Sequence, residues 1–457
     1  MGKLFGTDGI RGVVNDGLDA TLAYKVGLAA AVVLSEEKTN GERPLVTIGK
    51  DTRISGDLLK GALIAGLCTA GADVLDLGTL PTPGVAWVTV DEKADAGIVI
   101  SASHNPFEHN GIKIFNGQGF KLSDALEAQI EEMVLSGGSD IPVQTGEKIG
   151  KVSYVADKAS EDYIDHLEST IQEDLHGLRI LVDCANGAAY ATAGRLFDRF
   201  PKLMTDIINA DPDGVNINDK CGSTHMDALA AMVTAGGYDL GIAFDGDADR
   251  CLAVDEKGQE VDGDQVMALC GLSLKEQGRL NGNTVVATVM SNIGLHKFVE
   301  AHGMALECTS VGDRNVLERM LEKGYVIGGE QSGHMIFLEH ATTGDGQLTA
   351  LQMLALLQRS GKKASELFGA CARYPQVLIN IPVSGGNAAK EQIMSSDWLR
   401  DAVAEQEAAL GESGRILVRP SGTEALIRVM VEAQDEDMAK CCAQALSNLI
   451  KCHENKG

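Results

Sequence analysis

Leu45-Val46-Thr47-Ile48, a helical stretch from about Gly56 to Ala70, Asp73-Val74-Leu75-Asp76-Leu77 and then Gly97-Ile98-Val99-Ile100 form the succession that decides the fold. Short apolar runs rich in β-branched residues, separated by alanine-rich amphipathic stretches, are the pattern of an α/β protein. Right-handed crossovers place such strands in one largely parallel sheet.

Outward from that unit the alternation repeats. Arg179-Ile180-Leu181-Val182 precedes the turn Asp183-Cys184-Ala185-Asn186-Gly187, a helix beginning near Ala188, and the strand Tyr238-Asp239-Leu240-Gly241-Ile242-Ala243-Phe244. A third unit is expected from about Leu252-Ala253-Val254-Asp255, with strands at 284–289 and 325–328. The last segment differs, with strand runs at 377–381, 415–419 and 426–431 around one helical region and before a C-terminal helix, which predicts a smaller α+β domain. The expected boundaries are 1–153, 154–253, 254–372 and 373–457: three successive α/β units with mixed, largely parallel sheets plus a C-terminal α+β domain.

With 457 residues, 44% hydrophobic and 23% charged, the chain has the composition of a folded multi-domain protein. A formal net charge of −26 repels nucleic acid and anionic membranes, so neither is an expected partner and any anionic ligand must find a local basic pocket. No charged start followed by an apolar run and no run of roughly 18 apolar residues occurs, which leads to the expectation of a cytoplasmic protein. The ten cysteines form no Cys-x-x-Cys pair, so neither zinc nor a disulfide framework is expected, and Cys441, Cys442 and Cys452 are read as small buried hydrophobes.

Four loops carry the chemistry. Ser101-Ala102-Ser103-His104-Asn105-Pro106 closes an apolar run with a hydroxyl-rich turn, and a serine there needs a base, a cation or a metal to act as nucleophile. Turn-building alone also accounts for Ser, Asn and Pro at these positions. Asp245-Gly246-Asp247-Ala248-Asp249-Arg250 sets three carboxylates at alternate positions behind an apolar strand, a donor set for a hard cation such as Mg²⁺. An EF-hand is excluded: Arg250 stands where its glycine is required, and the flanks read as strands, although Glu256 falls at its twelfth position. Arg419-Pro420-Ser421-Gly422-Thr423-Glu424, with Arg428, has the contents of a phosphate cradle: guanidinium forks, hydroxyls and a glycine that lets backbone N–H groups approach. Gly329-Glu330-Gln331-Ser332-Gly333-His334 offers donors and acceptors suited to the hydroxyl or amino groups of a sugar. Phe5-Gly6-Thr7-Asp8-Gly9-Ile10-Arg11-Gly12 is a further glycine-rich stretch ending on arginine.

These four loops, in this order and over essentially the whole chain, resemble the signature loops of the α-D-phosphohexomutase family. The stretch 5–12, Asn216-Ile217-Asn218, Cys221-Gly222-Ser223-Thr224-His225 and Gln331 are similar to its amino-sugar branch. The resemblance implies that Ser103 is carried as a phosphoserine and that Asp245, Asp247 and Asp249, with a phosphoserine oxygen, hold Mg²⁺. It implies a substrate phosphate in the Arg419, Ser421, Gly422, Thr423 and Arg428 clamp, a sugar on Glu330, Ser332 and His334, and Arg11, His104, Lys113 and Arg250 around the transferring group. Lys113 is the candidate to act on the hydroxyl proton, and Asp313-Arg314 a candidate for specificity. The implied activity is interconversion of glucosamine 6-phosphate and glucosamine 1-phosphate for amino-sugar nucleotide and cell-wall precursors, with a hexosamine 1,6-bisphosphate as intermediate and activator. A homodimer is compatible with it. The alternatives are a mutase of mannose or glucose phosphates on the same fold, or a non-catalytic phosphosugar-binding protein.

Overall fold

The computed structural model describes residues 4–6, 8–36, 42–136, 141, 143–384, 386–421 and 425–454. The chain divides into two compact units: one takes in residues up to 290 together with 304–370, the other 291–303 and 371 onward.

In the first unit, a seven-stranded sheet has the order Gly17–Leu18, Ile10–Val14, His109–Asn116, Ala96–Ile100, Leu45–Lys50, Asp73–Thr79, Val152–Tyr154. Leu45–Lys50 runs parallel to both Ala96–Ile100 and Asp73–Thr79, while His109–Asn116 returns antiparallel on Ala96–Ile100. Alternation divides the two faces. Val46, Ile48, Ile98 and Ile100 join the buried cluster that also holds Ala23 and Val26 of helix Ala20–Glu36 and Leu59, Leu63 and Leu67 of helix Gly56–Ala70. The opposite face is pared down to admit helix Thr82–Asp91: a Cβ on Gly97 would lie 2.2 Å from the Thr89 hydroxyl.

The second sheet has the order Glu260–Val261, Cys251–Asp255, Leu240–Phe244, Arg179–Asp183, Met204–Ile208. The run 252–255, read from the sequence as opening a third unit, instead belongs to strand Cys251–Asp255, antiparallel to Leu240–Phe244 in this sheet. All five residues of each strand are buried, so both need cover on two faces, and the six-residue link 245–250 brings them together at once. The helix expected near Ala188 is a 3₁₀ turn, Ala188–Ala191, leading into the short helix Ala193–Phe197. The third sheet, Ala305–Thr309, Thr284–Thr288, Ile327–Gly329, Met335–Phe337, is parallel except for its last strand.

The second unit holds an antiparallel sheet, Gln376–Pro382, Leu426–Glu432, Arg415–Pro420, with helices Gly386–Met394, Asp397–Leu410 and Glu436–Glu454. The helical region expected to be single is therefore two helices. Helix Ile293–Ala301 is part of this unit: the wholly buried Glu432 accepts from Ile293 N at 2.8 Å, and Arg415 donates to Ser291 O at 2.7 Å. Of the three C-terminal cysteines only Cys442 is buried; Cys441 and Cys452 are exposed, because their positions on the last helix face away from the sheet. No helix among the described residues is long and apolar enough to cross a membrane.

Candidate active site

Four loops of the first unit follow the carboxyl ends of strands: 51–53 after Leu45–Lys50, 101–105 after Ala96–Ile100, 245–250 after Leu240–Phe244 and 330–334 after Ile327–Gly329. In open α/β sheets that end is where ligands bind.

Ser103 sits in the left-handed region (φ 51°) and is 1% exposed. Holding a non-glycine residue there costs on the order of 1 kcal/mol, so neighbours must enforce it. Arg53 does much of this: its Nη2 donates to the carbonyls of Ser103 and Asn105, each at 2.8 Å, and its Nη1 donates to Pro106 O at 2.5 Å. Asn218 Nδ2 donates to the same Ser103 and Asn105 carbonyls at 3.0 and 3.2 Å. Asp51 Oδ2 accepts from Arg53 Nε at 2.9 Å and from the Ser101 hydroxyl at 2.6 Å, and Ser101 Oγ in turn accepts from Ser103 N at 2.9 Å. Ser101 is therefore a structural member of the turn. The Ser103 hydroxyl points elsewhere, donating to Asp245 Oδ2 at 2.6 Å. Gly246 is what allows this approach, since a Cβ there would lie 2.5 Å from Ser103 O.

Asp245, Asp247 and Asp249 are all buried, with ligand-capable atoms within 4.8 Å of one another. Asp247 Oδ2 accepts from Thr82 Oγ1 at 2.7 Å and from Lys113 Nζ at 2.9 Å; Lys113 stands 3.8 Å from Asp249. Burial opposes charge on Asp247, but Lys113 and Thr82 prevail and hold its carboxyl below the usual range. Burial with the Asp249 and Asp247 charges pushes Asp245 up, against the opposing pull of Arg250 and the Ser103 hydrogen bond. Asp247 Oδ1 and Asp249 Oδ1 are buried with no hydrogen-bond partner among the described residues. Three converging buried carboxylates and two oxygens without a hydrogen-bond partner among the described residues fit a hard divalent cation with oxygen ligands.

The cations around Ser103 are fixed. Burial alone lowers the Lys113 ammonium, yet Asp247 and Asp249 outweigh it and raise the group far above its usual value. Lys113, the candidate to act on the hydroxyl proton, lies between two carboxylates that favour its charged form. Arg250 Nη1 donates to His104 Nδ1 at 3.1 Å, which fixes that nitrogen as an acceptor and leaves the ring proton on Nε2. Burial, then Arg250 and Arg11, keep His104 neutral by lowering its proton affinity. Arg11 lies on Ile10–Val14 opposite Gly111 in the same sheet as Lys113, and its Nε is buried without a partner among the described residues.

The 330–334 loop divides in two. Ser332 is exposed and Glu330 half-buried, with Glu330 Oε1 accepting from Gly312 N at 3.1 Å. His334, expected to face a sugar, is 3% exposed and turned inward, Nδ1 3.6 Å from Asp249 and Nε2 3.7 Å from Asp313. These carboxylates favour a second ring proton against burial, but Gly344 N donates to Nε2 at 3.0 Å, so the ring is neutral with its hydrogen on Nδ1 towards Asp249.

In the second unit, Arg419 and Arg428 are directly opposed on paired strands. Burial and the Arg428 charge lower the proton affinity of Arg419, whose Nε has no partner among the described residues; two like charges on one rung call for an anion. Ser421 is buried and its carbonyl accepts from Lys390 Nζ at 2.7 Å. Gly422 and Thr423 lie outside the described residues, as does Thr7.

Four family models match in chain order: phosphoglucomutase/phosphomannomutase alpha/beta/alpha domain I over residues 2–140, domain II over 161–258, domain III over 262–374, and the C-terminal domain over 378–449. The chain belongs to this family, the phosphohexomutases. Within it, the chain is 52% identical over 453 residues to the phosphoglucosamine mutase of Acetivibrio thermocellus, covering 99% of each, and 49% identical over 455 residues to that of Clostridium acetobutylicum, covering 100% of each. Among solved structures it is similar to a phosphoglucomutase/phosphomannomutase family protein from Burkholderia thailandensis (TM-score 0.78, 23% identity, 97% of both chains). It is also similar to Aspergillus fumigatus N-acetylphosphoglucosamine mutase in complex with GlcNAc-6P and magnesium (TM-score 0.69, 18% identity, 99% and 96%).

Proposed function

We propose that this phosphohexomutase interconverts glucosamine 6-phosphate and glucosamine 1-phosphate, with Ser103 as the phosphoryl carrier. The observation that carries the site assignment is the Ser103 hydroxyl at 2.6 Å from Asp245, inside the buried Asp245, Asp247 and Asp249 cluster. The substrate reading rests on the two full-length relatives at 52% and 49% identity.

Asp245, Asp247 and Asp249 would hold Mg²⁺, which when bound supplies positive charge to the phosphoryl group as it moves. The chain's own residues do the rest. Arg53 and Asn218 hold the 103–106 backbone so that Ser103 Oγ faces the carboxylates. Lys113, Arg11 and Arg250 add fixed positive charge, and His104 presents its Nε2–H as a donor. His334 orients Asp249, which leaves Glu330 and Ser332 for the sugar. Arg419, Ser421 and Arg428, with Gly422 and Thr423, take the phosphate that is not being transferred. Transfer from phospho-Ser103 to the sugar O1 forms the O1–P bond, breaks the O1–H and Ser103 Oγ–P bonds, leaves the proton on Ser103 as its hydroxyl and gives the 1,6-bisphosphate. Return of the 6-phosphoryl group to Ser103 then leaves the 1-phosphate. A hexosamine 1,6-bisphosphate would accordingly reload an unphosphorylated enzyme, and the products suit a cytoplasmic supply of amino-sugar nucleotides.

The test is a side-by-side assay of glucosamine, glucose and mannose 6-phosphates. The expected result is a kcat/KM for glucosamine 6-phosphate at least tenfold above the other two; equal or inverted values would refute the amino-sugar reading.

A further inference from the structure

Lys121 belongs to no loop that holds the phosphoryl group, yet its ammonium joins both sides of the site. It stands at the end of a rigid turn: Asn116 Oδ1 accepts from the backbone N–H groups of Gln118 and Phe120 at 2.9 and 3.1 Å, and Phe115 bridges Lys121. Thr342 Oγ1 donates to Gly119 O at 2.6 Å, fastening the same turn to the third-sheet segment. From there Lys121 Nζ reaches Asp313 Oδ2 at 2.8 Å and Asp8 Oδ1 at 3.2 Å, with its side chain only 17% exposed.

Each partner leads to a functional residue. Asp8 Oδ2 lies 3.6 Å from Arg11 Nη2, one turn of chain away. Asp313 lies against His334, which faces Asp249, and follows Gly312, whose N–H donates to Glu330 Oε1 at 3.1 Å. Arg314, the other residue singled out for specificity, turns outward to Asp124 and Glu318. Asp313, named with Arg314 as a candidate for specificity, is engaged by Lys121 and His334.

We propose that Lys121 is a positioning residue: through Asp8 and Asp313 it sets Arg11, on the phosphoryl side, against Glu330, on the sugar side, and against His334, which orients Asp249. The proposal rests on the mutase reading above. Misplacing reacting groups by about 1 Å is enough to cost up to a hundredfold in rate, so a loosened frame should show in kcat before it shows in binding.

Lys121→Met, Lys121→Arg, Asp313→Asn and the double variant Lys121→Met/Asp313→Asn, all full-length, should be assayed with glucosamine 6-phosphate below their unfolding transitions. Expected are a kcat about tenfold lower for Lys121→Met with KM within threefold, recovery of at least half the rate in Lys121→Arg, and a double variant no slower than the slower single. Unchanged kcat in Lys121→Met, no recovery in Lys121→Arg, or fully additive losses in the double variant would each overturn it. Absence of wild-type activity on glucosamine 6-phosphate would instead overturn the proposed function.

Discussion

Arg53→Met is the sharpest perturbation of the 101–106 loop that substitutes none of the groups proposed to react. Arg53 is a fully buried side chain whose guanidinium makes four hydrogen bonds: one to Asp51 and one each to the carbonyls of Ser103, Asn105 and Pro106. Methionine keeps the apolar stem and removes all four. Ser103 O and Asn105 O retain Asn218, and Pro106 O, on an exposed residue, retains the His109 N–H at 3.2 Å, so the three carbonyls contribute little to the loss. Asp51 loses its buried counter-charge, a loss of about 3–5 kcal/mol when one partner of such a pair is removed. Burial already raises the Asp51 carboxyl, so proton uptake holds that loss to about 3 kcal/mol. At about 2–4 °C per kcal/mol, the transition of the first unit should fall by roughly 10 °C. Relaxation of Ser103 out of its left-handed conformation should cost about a hundredfold in kcat at temperatures well below that transition. Differential scanning calorimetry with initial-rate assays at 20–25 °C reads both. A variant within 2 °C and twofold of wild type would refute the claim that Arg53 holds the loop.

Asp247→Asn removes a charge that Lys113 and Thr82 jointly fix; the Mg²⁺ concentration for half-maximal rate should rise at least tenfold and kcat fall with it, so a kcat loss at unchanged Mg²⁺ dependence would count against the triad. Asp345 caps helix Gly346–Ser360, accepts from the Tyr163 hydroxyl, and is pushed up to about 6 by burial. Its folded value lies above the ordinary 3.8, so it contributes stability that is full below pH 4 and lost as pH rises through 6, at most about 3 kcal/mol. Asp345→Asn keeps an acceptor for Leu348 N–H and removes the titration, so wild-type stability minus variant stability should decline between pH 4 and 6.5 in urea titrations; a flat difference would refute it.

What the sequence made legible is what is local. Apolar runs such as 96–100 and 240–244 are buried strands, and the loops that follow them, with Ser103 and the three aspartates, carry their chemistry in consecutive residues. Arg53 and Thr82 escaped, and Asn218 entered only as part of a resembling motif, because they act across 50, 165 and 115 positions of chain, where no spacing reports the contact. One signal was present: Asp51-Thr52-Arg53 directly follows a buried strand, the same placement that drew notice to Ser101-Ala102-Ser103. The inward turn of His334 and the fixed charge of Lys113 depend on which neighbours fold brings close, Gly344 in one case and two carboxylates in the other. The run 252–255 pairs back across a six-residue turn with Leu240–Phe244, and an antiparallel pairing of that kind leaves no mark in the apolar pattern of the run itself.

Mass spectrometry of the phosphoryl group on Ser103 is the most direct test of the central claim. The protein is incubated with a hexosamine 1,6-bisphosphate, mapped by peptide, then chased with glucosamine 6-phosphate. The account predicts one added phosphoryl group on the peptide containing Ser103, lost during the chase with formation of the bisphosphate, and neither label nor turnover in Ser103→Ala. A label on any other residue, or a Ser103→Ala protein that still turns over, would contradict it.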